Sequence, residues 1–308
     1  MSGEPKDQIA VATLSPLVQG WAERHRGDPH QVKASANSKN MIFDPSFFIP
    51  LLFLGLLSGL LAGLLGVGGG LVIVPILAYL LPGQNVSAEN LIQTSIGTAL
   101  MVICFTSLSS LRAHHKAGAI LWPVALKFTP GILLGSIVGA KIAHWLPGRQ
   151  LGLFFSVFIV FSGVQMLLNK KPKPSRDLPG TTGLVAVGSV IGTLSSIVGA
   201  GGGFISVPFM AWCNVNLKNA VATSAAMGFP IAVFSSVGYI YNGLHTAHLP
   251  PWSLGYIYMP AVMYLAGMSV FTAPVGARLA HRLPVKTLKK VFAYMLFILA
   301  VMMFRKVF

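Results

Sequence analysis

The sequence predicts an all-α polytopic membrane protein built from two homologous repeats, each with four to five helical elements. Three observations support this fold class. Of the 308 residues, 54% are hydrophobic and only 9% are charged, whereas a soluble domain carries about 25% charged residues. Apolar runs follow one another between residues 47 and 304, and blocks from the first half recur in order in the second half.

The apolar runs divide into two sets of five. In the first set they are 47–65, 71–81, 91–111, 120–142 and 151–168. In the second set they are 183–198, 204–212, 220–241, 252–273 and 288–304. The second run of each set is too short for a spanning helix, which needs about 20 residues. We therefore expect a broken or re-entrant helix at that place in each half.

These runs define the predicted domain organisation. Residues 1–46 form a polar segment that we expect to be flexible or to lie on a surface, and no signal peptide is expected in it. Residues 47–168 form the first transmembrane repeat and 183–308 the second. A basic, Pro-rich linker at 169–182 joins them.

The duplication depends on three matched blocks. Residues 66–75 recur as 199–208, Thr94-Ser95 recurs as Thr223-Ser224, and residues 139–147 recur as 276–284. Internal repeats of this kind are the common build of secondary transporters. The Lys and Arg residues of the connections favour opposite conclusions on orientation, so inverted and parallel repeats both remain open.

The distribution of charge points to an anionic substrate. Lys and Arg total 22 against 7 Asp and Glu, and after Asp44 the only acids are Glu89 and Asp177, both in polar connections. Cation transporters and proton pumps usually need buried carboxylates, so that class is disfavoured. Catalytic and metal-ligand arrangements are not visible in the sequence, and Cys104 and Cys213 are single. We therefore expect no enzyme activity, cofactor, metal site or nucleic-acid partner.

The two glycine blocks are the first candidate site. Successive glycines cost roughly 1 kcal/mol each relative to Ala inside a helix, so the helix should break there. Backbone N–H groups and the positive end of the half-helix that follows each block would then suit an anionic oxygen cluster. Close packing through small residues is the alternative. The substrate-binding candidates in these blocks are Gly68, Gly69, Gly70, Gly201, Gly202 and Gly203.

Polar residues at the start of the next long helix are the second candidate group. Gln93, Thr94 and Ser95 occur in one half, and Thr223 and Ser224 in the other. Hydroxyls and amides can donate hydrogen bonds to an anionic oxygen without carrying a full charge. Helix capping and bonding between helices are equally good explanations.

Lys127 is the candidate fixed charge, because it is an ionisable residue inside an apolar run. It could neutralise a bound anion, or its long side chain could extend to the membrane interface. The histidines at 114, 115, 245 and 248 could couple protons to transport, although solvated loop positions are the more ordinary expectation. For His144 and His281 we expect capping or interface positions.

The duplicated G-x-G-G-G-(x)4-P blocks, the Thr-Ser pairs that follow and the two-fold apolar layout resemble the TauE/SafE family of sulfite and organosulfonate exporters. The resemblance covers about residues 47–304. It implies a multi-pass permease of the bacterial inner membrane that exports a small sulfur oxyanion such as sulfite or sulfoacetate. The polar segment 1–46 is not part of the shared pattern.

The sequence therefore predicts a secondary transporter with its site at the interface between the repeats. Its expected partners are a small anionic substrate and the lipid bilayer, with a homodimer as an open alternative. Two rival functions remain: a passive anion channel, and a membrane scaffold or sensor that acts through residues 1–46. Uptake of a metal such as nickel is disfavoured, since the apolar runs lack clusters of acids and histidines.

Overall fold

The computed structural model describes residues 45–66, 68–84, 86–168, 177–247, 249–280 and 285–307. For residues 285–289 and 307 only the backbone is considered. Nearly all of the polar segment 1–46 and most of the linker 169–182 lie outside the described residues. The described chain from Pro45 onwards forms one compact unit.

Ten α-helices make up the described chain. In the first half they are α1 (Pro45–Leu65), α2 (Gly70–Leu80), α3 (Leu91–Lys116), α4 (Trp122–Trp145) and α5 (Gly148–Leu168). In the second half they are α6 (Thr181–Val198), α7 (Gly203–Trp212), α8 (Leu217–Gly243), α9 (Met259–Ala280) and α10 (Val285–Val307). A 3-10 turn at Leu81–Gln84 follows α2, and two-residue strands β1 (Ser253–Leu254) and β2 (Ile257–Tyr258) precede α9.

This architecture confirms the all-α polytopic fold class. Within the described ranges, seven helices are long and apolar enough to cross a membrane, namely α1, α3, α4, α5, α6, α8 and α9. Helices α2 and α7 have 11 and 10 residues and are too short to cross alone. Each begins at the last glycine of a glycine block, so the expected interruption of the helix occurs in both halves.

One predicted helix begins in the wrong place. The apolar run 252–273 starts with an antiparallel hairpin in which Ser253 pairs with Tyr258 and Leu254 with Ile257, and helix α9 begins only at Met259. Trp252 has φ 66° and Gly255 has φ 56°, and these backbone angles are incompatible with a right-handed helix. Apolarity alone did not reveal this turn.

The helices pack closely through small residues. Gly55, Gly59 and Gly63 line the face of α1 that contacts α9. On α4, three glycines at 131, 135 and 139 contact α6 in the same way. A Cβ atom at these positions would meet backbone atoms of the neighbouring helix. The glycines therefore allow the backbones to approach, as is typical of packing between membrane helices.

The pairing of helices is reciprocal between the halves, because the first helix of each half packs against the fourth helix of the other half. The long helices α3 and α8 contact each other and run antiparallel: Gly97 lies beside Tyr239, and Ser107 lies beside Gly228. An inverted pair of repeats would place its third helices in this way. The two-repeat interpretation stays a prediction, which this packing supports in its inverted form.

The bundle has two ends, which we name after buried or hydrogen-bonded residues there. At the His114 end, α1, α3, α5 and α9 finish and α4, α6, α8 and α10 begin. There the ring nitrogen Nε2 of His114 lies 3.3 Å from the Gly63 carbonyl oxygen. At the Tyr256 end the opposite termini meet, and Tyr256 Oη lies 3.0 Å from His144 Nδ1.

Candidate functional site

The two glycine breaks have nearly the same backbone angles at two matching positions, although Gly68 has φ 82° and its counterpart Gly201 does not have a positive φ. The residue before α2, Gly69, has φ 76° and ψ −9°, and the residue before α7, Gly202, has φ 78° and ψ −11°. Gly66 and Gly199, which directly follow α1 and α6, have φ 67° and 69°. L-residues with side chains rarely adopt these angles, whereas glycine adopts them freely. Both breaks therefore require glycine for a conformational reason.

The breaks also contact each other in the interior. A Cβ atom on Gly68 would lie 3.0 Å from the Gly201 Cα, and a Cβ on Gly70 would overlap the Gly199 carbonyl oxygen. The described residues of both breaks are buried. The structure thus brings the predicted glycines of both blocks together in one buried junction, made of backbone atoms.

Two half-helices begin at the junction, so backbone N–H groups face it. The first backbone N–H groups that donate within the two helices are those of Val72 and Ile205. The N–H groups of the residues just before them therefore have no acceptor within the helix. Each helix N-terminus carries a partial charge of about +0.5. No described Lys or Arg side chain is buried, and the described acids Glu89 and Asp177 are exposed. The N-termini of α2 and α7 are therefore the source of positive potential among the described residues there, while α1 and α6 end at the same breaks with their negative C-terminal partial charges.

A chain of hydroxyls joins the second half to the first break. Ser224 Oγ donates to the Gly66 carbonyl oxygen at 3.2 Å and accepts from Ser206 Oγ at 2.9 Å. Both serines are fully buried. Ser224 was predicted from the sequence, but Ser206 was not. The sequence could have indicated it, because Ser206 stands at the position that Ile73 occupies in the first glycine block, so a polar residue matches an apolar one.

The other predicted hydroxyls and the amide have different neighbours. Ser95 Oγ donates to Leu91 O within its own helix at 2.7 Å. Gln93 Nε2 donates to Leu146 O at 3.0 Å, and so holds the connection between α4 and α5. Thr94 is fully buried, and its Oγ1 has no hydrogen-bond partner among the described residues. Among all the hydroxyl and amide residues predicted from the sequence, Ser224 is the one with a described hydrogen bond to a glycine break.

Lys127 does not lie with the buried junction. Its side chain is exposed on α4, five residues after that helix begins at the His114 end. A cation so close to a helix end can reach the interface along its apolar stem. The structure therefore favours the interface explanation over a role in the junction.

The histidines occupy three kinds of position. His114 is 1% exposed in the last turn of α3, which continues five residues beyond the predicted apolar run and so buries a residue that was predicted to be solvated. His115 and His245 are exposed, and Trp122 Nε1 donates to His115 Nδ1. The structure places His144 against Tyr256. His248 and His281 lie outside the described residues.

The segments that precede α4 and α9 are each anchored at one end of the bundle by a backbone N–H that donates to a threonine hydroxyl. At the His114 end, the Leu121 N–H before α4 donates to Thr223 Oγ1 at 3.0 Å. At the Tyr256 end, the Tyr258 N–H before α9 donates to Thr98 Oγ1 at 3.0 Å. Thr223, predicted as a substrate donor, thus anchors a connection by accepting a hydrogen bond.

Comparisons with known proteins place this architecture in a family. Residues 51–303 match the family described as "Sulfite exporter TauE/SafE". A "Probable membrane transporter protein" of Haemophilus influenzae is 37% identical over 266 residues, which cover 85% of this chain and 99% of the relative. The "Probable membrane transporter protein YunE" of Bacillus subtilis is 30% identical, over 64% of this chain and 79% of the relative.

A more distant relative extends the comparison beyond bacteria. A probable membrane transporter protein of Methanocaldococcus jannaschii is 24% identical over 80% of this chain and 92% of its own length. No solved structure matches the chain. The family match covers nearly all of the described helices, including both glycine breaks. The chain therefore belongs to the TauE/SafE family and is a multi-pass membrane transporter.

Proposed function

We propose that this transporter exports a small sulfur oxyanion, either sulfite or an organosulfonate such as sulfoacetate, across the bacterial inner membrane. The observation that carries the proposal is the buried junction where the N-termini of α2 and α7 meet. The family description supplies the substrate class, and the junction supplies a physical reason for it.

An anion would remove an electrostatic conflict at the junction. The N-termini of α2 and α7 repel each other in a low-dielectric interior, and an anion bound on the side of their N–H groups, away from the C-termini of α1 and α6, would be attracted to both. Helix N-termini are common sites for oxyanions, since several N–H groups point at the ligand. A sulfonate or hydrogen sulfite group offers three oxygens as acceptors. Among the described residues no buried carboxylate repels it.

A carrier fits this arrangement better than a passive channel. The described glycines at the junction are buried, and a connection closes the bundle at each end. Movement of helices would be needed to expose the junction to either side, so flux should saturate. Export of a monoanion could be driven by an inside-negative potential, which contributes about 2.3 kcal/mol per 100 mV.

Reconstitution into proteoliposomes tests the proposal. We expect saturable efflux of sulfite or a small sulfonate that increases when the lumen is made electrically negative. Ser224→Ala should lower this flux, because it frees the Gly66 carbonyl at the junction. Ser162→Ala is the matched control, since Ser162 is also a fully buried serine, but on α5. Flux that never saturates would favour the channel, and flux of other anions alone would reject the sulfur substrate.

The scaffold or sensor alternative depends on residues 1–46, nearly all of which lie outside the described residues. Removing residues 1–44 distinguishes it from transport. We expect the shortened chain to retain saturable flux, because the junction and both closing connections lie after Pro45. A signalling function with no flux in the full chain would favour the scaffold.

A further inference from the structure

We propose that the substrate reaches the junction from the His114 end along a polar stripe formed by Ser107, Ser110 and His114, and that this end faces the cytoplasm. The proposal rests on the transport function proposed above. It adds the route and the orientation, which neither the sequence nor the family match assigns.

The stripe begins at the junction itself. Ile103 of α3 lies against the first break, with its Cγ2 3.1 Å from a Cβ built on Gly68. One turn further, Ser107 lies beside Gly228 of α8, which in turn lies beside the Gly201 carbonyl. Residues three and four apart share one face of a helix. The same face of α3 therefore continues from Ser107 through Ser110 to His114.

Ser110 places a hydroxyl without a described partner on this face. It is 2% exposed, and its Oγ has no hydrogen-bond partner within the described part of the chain. Burying a hydroxyl without a partner costs about 1–3 kcal/mol. Such a group is explained if water or a substrate oxygen bonds to it during part of the transport cycle. The position lies between the junction and the end of the bundle, as a route requires.

The opposite direction from the junction is filled by large side chains. Tyr239 of α8 is 1% exposed and donates to the Ser196 carbonyl at 3.1 Å. The β1–β2 hairpin then closes the Tyr256 end: a Cβ on Gly97 would lie 2.8 Å from the Tyr256 carbonyl oxygen. This side also contains buried hydroxyls without a described partner, at Thr94, Ser196 and Ser235, but the Tyr239 ring and the hairpin backbone both contact α3 at Gly97. We take the His114 side as the route because this hairpin is seated on the other.

The distribution of basic residues assigns this end to the cytoplasm. Among the described residues, Arg112, Lys116, Lys218 and Arg278 lie near helix termini of the His114 end. Helices α5 and α6 finish and begin there, and the sequence between them is rich in lysine. The Tyr256 end has four described basic residues, Lys141, Arg149, Arg305 and Lys306, so the excess at the His114 end comes from Lys127, Lys290 and the lysines between α5 and α6. Lys and Arg concentrate in cytoplasmic connections, so the His114 end should lie inside.

Cysteine labelling in membranes tests both parts of the proposal. In a Cys104→Ser, Cys213→Ala background, Ser110→Cys is treated with a membrane-impermeant maleimide in inside-out vesicles and in right-side-out spheroplasts. We expect labelling in inside-out vesicles and none in spheroplasts. Lys116→Cys and Arg149→Cys, both exposed and at opposite ends, report the sidedness independently: the first should label from inside and the second from outside.

Ser136→Cys is the matched control for the route. Ser136 is also buried, and its hydroxyl also has no described partner, but it lies on α4. It should stay unlabelled in both preparations. Absence of labelling at Ser110→Cys in a transport-competent protein, or equal labelling of both serine positions, would overturn the route. Labelling of Lys116→Cys from outside would overturn the orientation.

The labelling requires no knowledge of the substrate. One-sided labelling of Ser110→Cys with no flux of sulfur oxyanions would leave the route standing and reject the substrate. Flux of a sulfonate without labelling of Ser110→Cys would support the substrate and reject the route.

Discussion

The first and second glycine breaks share backbone angles at two matching positions but differ in their middle glycine and in their side-chain support. Gly69 and Gly202 differ by 2° in both φ and ψ. At the first break, however, the Gly66 carbonyl accepts a hydrogen bond from Ser224 across the halves. Ser95, which matches Ser224 in the second block of the repeat, instead bonds to Leu91 in its own helix.

This difference shows which features glycine alone determines and which require particular side chains. The left-handed backbone at Gly66, Gly69, Gly199 and Gly202 is possible because these residues lack a Cβ. The match is incomplete, since Gly68 has φ 82° whereas its counterpart Gly201 does not have a positive φ. The polar support depends on single positions, such as Ser206 in the second half against Ile73 in the first.

The largest effect is expected where the two breaks touch. Gly70→Ala would place a Cβ on the Gly199 carbonyl oxygen, and neither backbone can move without opening the junction. We expect loss of folded protein, measured as recovery of monodisperse protein in detergent. Gly267→Ala is the control, because nothing lies within 4 Å of that position in α9. It should be neutral or stabilise by up to about 1 kcal/mol. Equal recovery of both variants would contradict the contact between the breaks.

Matching substitutions at Gly69 and Gly202 should separate conformational strain from collision. Both Ala variants place a side chain in the left-handed region, which costs about 1–2 kcal/mol. A Cβ on Gly69 also meets the Ser58 carbonyl oxygen at 2.7 Å, whereas one on Gly202 meets the flexible tip of Ile231 at 2.6 Å. Overpacking against backbone should therefore add roughly 1–3 kcal/mol at Gly69.

Thermal unfolding in detergent measures this difference. Gly69→Ala should melt well below Gly202→Ala, and both should melt below the parent chain. The reverse order would show that Ile231 is less mobile than its position suggests.

A smaller effect distinguishes the two matching serines. Ser224→Ala leaves the buried Gly66 carbonyl without this donor, which costs about 1–3 kcal/mol. Ser95→Ala should cost less, because Leu91 O can still accept the helical hydrogen bond. Thermal stability and sulfonate flux should both fall further in Ser224→Ala than in Ser95→Ala. Equal losses in the two variants would show that Ser95 and Ser224 contribute equally to stability and flux.

The sequence predicted most of the fold because apolarity and glycine are strong local signals. Nine of the ten apolar runs lie largely within one observed helix, and both breaks fall at the glycine blocks. The hairpin before α9 was missed because Trp252–Tyr258 is as apolar as a helix. Its turn depends on positive φ at Trp252 and Gly255, which hydropathy does not encode.

The candidate site was harder to predict than the fold. The glycines were identified because glycine destabilises a helix interior, so several of them within one apolar run indicate a special backbone conformation. The functions of hydroxyls depend on partners far apart in the chain: Ser224 bonds to Gly66, and Thr223 accepts from Leu121. Local sequence does not show such distances. Lys127 was selected for its charge, with the interface as the alternative, and its exposed position near the start of α4 favours that alternative.

The smallest expected effect concerns the hairpin, which in the described chain occurs only in the second half. Tyr258 donates to Gln84 Oε1 at 3.1 Å, and burial raises the pKa of Tyr258 to about 12. The ordinary value for tyrosine is about 10, so the folded state holds this proton more tightly than the unfolded state. Its contribution to stability is complete below pH ~10 and is lost as the pH rises towards about 12.

The melting temperature in detergent between pH 9 and about 12 tests this linkage. Tyr258→Phe should melt lower near neutral pH, by the loss of one hydrogen bond worth about 1 kcal/mol, and should show a shallower decline at high pH. Tyr241→Phe is the control, since Tyr241 is 70% exposed and should decline like the parent chain. A decline as steep in Tyr258→Phe as in the parent would show that the hairpin does not hold this proton. Because the α3–α4 connection at 117–121 has no tyrosine, such titration should weaken the Tyr256 end and leave the His114 end closed.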